Sequence, residues 1–157
     1  MKKLLLPLLA LALPLATAAL LTACATYDER LIPPPPNTDT ELQGTWVVKV
    51  AELGGKQFPL LKGYELVIRG TRYDVGPPGK PNDHGKLVFF GDELAGQPRR
   101  MDAIGEDGPN QGKRYPSIYR LQGRDLEICY DLTQKDRPTD FASREGTMVL
   151  RVVYARK

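Results

Sequence analysis

The chain is poor in the residues that most often carry chemistry: one histidine and two cysteines among 157 residues. A catalytic triad needs a nucleophile, a base and an orienting group. His84 is the only histidine, and its neighbours Pro81, Asn82 and Asp83 have turn chemistry, so it reads as an exposed loop residue. One histidine without paired cysteines leaves no zinc pattern. Asp102, Glu106, Asp107 and Asn110 offer oxygens but lack the spacing of a calcium loop, and read as a solvated turn. No catalytic residue, metal or cofactor is therefore expected, nor an enzyme.

Net charge is scarce as well. The 22 basic and 19 acidic side chains nearly balance, and Lys2 and Lys3 belong to a segment expected to be removed, leaving 20 against 19. No basic field remains to attract nucleic acid. The length suits one domain, not two.

What is abundant at the start is leucine and alanine. Met1-Lys2-Lys3 precedes an almost wholly apolar run at 4–21, which ends in Leu21-Thr22-Ala23-Cys24. A basic start, an apolar run and small residues before a cleavage point mark a secretory signal. Leu21-Thr22-Ala23-Cys24 resembles the bacterial lipobox, whose cysteine is acylated and becomes the first residue of the mature protein. The alternative is an uncleaved membrane helix, since 18 apolar residues nearly span a bilayer; Pro7 and Pro14 argue against it. Residues 1–23 are thus expected to be a lipoprotein signal peptide, with Cys24 the lipid anchor, placing the protein in the cell envelope on the extracytoplasmic side. More than one acyl chain gives stable attachment. With Cys24 modified, no intramolecular disulfide forms, and Cys129 is expected to be buried as a small apolar residue. A reactive thiol there is the lesser alternative.

Residues 24–41 contain four consecutive prolines, Pro33 to Pro36. They lack backbone donors and favour an extended helix, so this stretch reads as a semi-rigid spacer. A proline-recognition ligand is the other reading.

From residue 42 to residue 157 the pattern is strands. Gly44 breaks the chain, Trp46 (the only tryptophan) follows, and Trp46, Val48 and Val50 alternate with Val47, Lys49 and Ala51. Further strands are expected at 64–69, 72–75, 85–90, 99–104, 113–121, 125–132 and 147–154, separated by glycine- and proline-bearing turns. Met148, Leu150, Val152 and Tyr154 share a face in the last. No amphipathic helix stands out. About eight short antiparallel strands imply an all-β sandwich or barrel, and closure into a barrel removes exposed edges.

Five stretches occur in order: Leu42-Gln43-Gly44-Thr45-Trp46, Gly112-Lys113-Arg114-Tyr115, Ile118-Tyr119-Arg120-Leu121, Leu126-Glu127-Ile128-Cys129, and Arg137-Pro138-Thr139-Asp140-Phe141-Ala142-Ser143. Together they resemble the uncharacterised lipocalin-like domain expanded in planctomycete proteomes. That resemblance implies an antiparallel up-and-down eight-stranded lipocalin-like barrel and carries no established activity. Gly44 and Trp46 also resemble the first-strand signature of lipocalins. There the tryptophan plugs the closed end under a basic residue of the last strand, which here is Arg151 or Arg156.

Four of the seven tyrosines, Tyr64, Tyr73, Tyr130 and Tyr154, lie on strand faces rich in aliphatic residues. In a cavity they would hold a weakly polar hydrophobe; in a filled core their hydroxyls would reach the rim. The segment 137–141 either gates the barrel mouth or covers one end with Phe141. The expected role is non-catalytic binding of a small hydrophobic ligand at the membrane. The alternative is a filled barrel serving as a structural or protein-interaction module.

Overall fold

Short alternating segments between turns leave the chain no way to satisfy its backbone except by pairing strand on strand. The computed structural model describes residues 38–91 and 96–157. The stretch expected to be a signal peptide, Cys24 and the four prolines lie outside the described residues.

Nine strands form one sheet: β1 (Gly44–Leu53), β2 (Lys56–Gln57), β3 (Glu65–Arg69), β4 (Arg72–Gly76), β5 (Asp83–Phe90), β6 (Arg99–Asp107), β7 (Arg114–Gln122), β8 (Asp125–Asp131) and β9 (Val149–Arg156). Every neighbour is antiparallel, and β2 is a two-residue strand on the end of β1. The others run β1-β3-β4-β5-β6-β7-β8-β9, and β9 returns to β1 from Trp46↔Arg156 to Leu53↔Leu150. The result is the closed, all-antiparallel, eight-stranded barrel that the alternation implies. No helix among the described residues is long and apolar enough to cross a membrane.

Trp46, Leu66, Ile68, Met101, Leu126, Ile128 and Val152 belong to the interior cluster, all nearly inaccessible to water. Each such aliphatic side chain contributes roughly 1.5–3 kcal/mol by burial. The register of β1 against β9 shifts between Val48 and Val50, a β-bulge. Simple alternation puts Val50 beside Trp46 and Val48, but the extra residue inverts the later part of the strand. Ala51 therefore enters the core and Val50 does not. The last strand starts two residues later than expected, and Met148 is half exposed instead of sharing the inner face.

The outer surface is also partly buried. Ile118 and Cys129 are cross-strand partners on β7 and β8, both inaccessible, yet neither belongs to the interior cluster. The segment linking β8 to β9 lies over this outer face. The Arg137 guanidinium donates to the carbonyls of Met101 and Ser117 and to Asp102, each at 2.6 Å. Arg114 donates to the second Asp102 oxygen at 2.6 Å. Asp102 is fully buried between them, which corrects its reading as part of a solvated turn. Phe141 stacks on Arg120, 4.1 Å from the guanidinium, and Arg120 in turn bonds Glu127. Phe141 thus covers the side of the barrel rather than an end or a mouth.

Candidate functional site

An up-and-down barrel has two ends, and the sequence treats them differently. At the end where β1 begins, a 3-10 turn (Thr40–Leu42) folds inward and buries Leu42 completely. The Trp46 indole donates to the Leu42 carbonyl at 2.8 Å. Arg156 lies over the ring, 4.4 Å from its centroid, and its guanidinium donates to the carbonyls of Gln43 and Glu41. Arg151, the other basic candidate, instead bonds Glu127 and Glu52. Asp39 accepts from the Tyr119 hydroxyl at 2.9 Å and from Arg99 at 3.1 Å. The plug therefore includes residues 39–41, at the C-terminal end of the stretch that reads as spacer.

The other end is hollow. A cup of about 410 Å³ opens there, walled by Leu66, Ile68, Leu87, Met101 and Val152 and reached by loop residues such as Phe58 and Leu61. Of the tyrosines expected to meet a ligand, Tyr73, Tyr130 and Tyr154 line it. Tyr64 packs against the core without lining the cup. Tyr130 and Tyr154 bring their hydroxyls within 3.4 Å of each other.

A polar arc crosses this apolar cup. Asp83, Asn110 and Tyr115 all line it. The Tyr115 hydroxyl donates to Asn110 at 2.9 Å, and the Asn110 amide donates to Asp83 Oδ2 at 2.7 Å. Asp83 Oδ1 is buried without a hydrogen-bond partner among the described residues, and the residue is only 7% exposed. Turn chemistry alone points to a loop at Asp83 and His84; both are the first residues of β5. His84 is half-buried and does not line the cup; its Nδ1 lies 2.7 Å from Asp74.

Two glycines shape this end of the cup. A Cβ on Gly105 would run into the Asn110 backbone, so only glycine lets the β6–β7 tip fold down onto Asp83. A Cβ on Gly85 would lie 2.7 Å from the Tyr73 ring, which uses that space. Nothing local in the sequence signals the Asp83–Asn110 contact, because its partners are 27 residues apart and meet through that tip.

Burial, and then the Asp83 charge, push the Tyr73 and Tyr115 phenols up from their ordinary range. Burial pushes Tyr154 up to about 12, the hydrogen bond with Tyr130 opposing it, and raises Tyr130 well above its usual value. The cup thus presents neutral phenols. On the outer face, burial and the nearby Glu127 charge push the Cys129 thiol up to about 12, which leaves it a poor nucleophile.

A larger depression, about 920 Å³, lies on the outside between the β8–β9 segment and β7. It is a wide, open groove whose charged walls are already paired, Arg144 with Asp140 and Arg99 with Glu41. It lacks the enclosure that desolvates a small molecule. No group of three or more acidic, histidine or cysteine side chains suited to a metal occurs among the described residues.

The fold and the cup define an antiparallel barrel closed at one end and hollow at the other. Set against known proteins, the chain matches no family model, no curated relative and no solved structure.

Proposed function

We propose that this is a membrane-anchored, extracytoplasmic, lipocalin-like protein that binds a small hydrophobic molecule without transforming it. The supporting observation is the cup of about 410 Å³, apolar in its walls with a few convergent polar groups. Small-molecule sites typically span roughly 300–1,000 Å³ with this mix. A plugged end and an open end give the ligand one route in. The Trp46–Arg156 stack accords with the lipocalin resemblance, and the lipobox-like Leu21-Thr22-Ala23-Cys24 supports the anchor. A barrel acting only as a structural module has no need of a hollow interior.

Native mass spectrometry of the full chain tests the binding role. The expected result is a co-purifying mass of a small hydrophobe, or uptake of Nile red by empty protein. Empty protein that also ignores the dye would end this reading. For the anchor, Cys24→Ser is expected to release the protein from the membrane fraction; firm attachment of that variant would remove the lipid anchor from the proposal.

A further inference from the structure

We propose that the cup selects a hydrophobe with a cationic amine head, and that Asp83 is the residue that receives it. The inference rests on the binding role proposed above and adds the chemical class of the ligand.

Asp83 is a carboxylate in surroundings that do not suit one left alone. Asp83 is 93% buried, lines the cup, and accepts a single side-chain hydrogen bond, from Asn110 to Oδ2. No lysine or arginine forms an ion pair with it among the described residues, although Asp102 and Glu127 each hold two arginines. Buried carboxylates are stabilised by charged donors, and an unfilled one is costly. The remaining oxygen, Oδ1, has no donor among the described residues. Apart from Asn110 and the exposed Lys113, the rest of the wall is aliphatic or aromatic, so the complementary molecule is an apolar body ending in a donor.

Competing charge is confined to the rim. Lys113 also lines the cup, but it is exposed and its ammonium donates to the Pro109 carbonyl at 3.1 Å. Water screens that charge, whereas the Asp83 charge acts in a drier setting. An anionic head would face the buried carboxylate of Asp83 directly. An uncharged alcohol would supply a donor without the charge.

The test is calorimetric titration of the full chain with decylamine, decanol and decanoate at neutral pH, repeated with Asp83→Asn. The amine is expected to bind at least about tenfold tighter than the acid, with the alcohol between them. Asp83→Asn is expected to erase the advantage of the amine while keeping affinity for the alcohol. If that variant does not fold, the ranking on the unaltered chain still decides. Equal binding of all three, or tighter binding of decanoate, overturns the amine preference and leaves the hydrophobic cup standing. Binding of none of the three overturns both.

Discussion

The guanidinium of Arg156 lies 4.4 Å over the centre of the Trp46 ring and ties the last strand to the first. It also holds the carbonyls of Glu41 and Gln43, so one side chain fixes both the barrel seam and its plug. Arg156→Ala removes the stack and both hydrogen bonds. A loss of about 1–3 kcal/mol is expected. Urea denaturation followed by Trp46 fluorescence measures it. Affinity at the cup, at the opposite end, should not change.

Asp102 is the centre of the outer-face network, and its removal leaves Arg137 and Arg114 facing each other without an anion. Asp102→Ala is expected to cost about 3–5 kcal/mol. The β8–β9 segment should become sensitive to protease before the barrel unfolds. Limited proteolysis with mass mapping shows whether the first cut falls within residues 133–147.

Gly105→Ala places a methyl group against the Asn110 backbone, which no rotamer change relieves. The tip must lift, costing about 1–3 kcal/mol and separating Asn110 from Asp83. Ligand affinity should fall together with stability. Gly123→Ala, at a turn with open space around it on the far end, should leave affinity unchanged.

Acid should weaken the fold partly through Asp131 and Asp74. Burial raises the Asp131 carboxyl, but hydrogen bonds from Thr133, Asp136 and Lys135 outweigh it and hold it below its usual range. The hydrogen bond from His84 and the Arg69 guanidinium do the same for Asp74 against a smaller burial effect. A lowered folded pKa gives stability that is present above the ordinary value of 3.8 and is lost as pH falls through the folded one. The urea midpoint should drop between pH 5 and pH 2, and Asp131→Asn should make that drop shallower.

Cys129 has the opposite sign. Its thiol is raised from 9.0 to about 12, so folding favours the protonated form. The associated stability is complete below pH 9 and is lost as pH rises towards 12. At pH 8, iodoacetamide should label Cys129 only as fast as the chain opens, and Cys129→Ala should remove part of the alkaline loss of stability. Rapid labelling of folded protein would contradict the burial.

The strand count was legible because alternation and turn residues are local signals. All eight barrel strands fall where the apolar pattern puts them, within a few residues at each end. Local signals failed where a distant part of the chain intervened. Asp83 and His84 have loop-forming neighbours, yet pairing with Val75 and Asp74 draws them into β5. Asp102 sits in an acidic stretch, yet Arg137 reaches across from 35 residues away to bury it. The bulge between Val48 and Val50 has no composition of its own and arises from fitting β1 to β9.

For the site, the sequence named three of the tyrosines in the cup but not the acid among them. An aromatic on an aliphatic strand face announces an interior position, since period two fixes its side. A carboxylate in a proline- and asparagine-rich turn announces solvent, and only the folded-down tip of the β6–β7 hairpin reverses that.

By itself, then, the sequence determined how many strands close the barrel, which way most side chains face, and that Trp46 lies in the core, because these follow from chain periodicity and turn chemistry. Tertiary structure alone decided which basic residue covers Trp46, which outer surface is buried, and that one end stays hollow around Asp83. Those outcomes depend on barrel closure, which sets residues far apart in the chain at hydrogen-bonding distance.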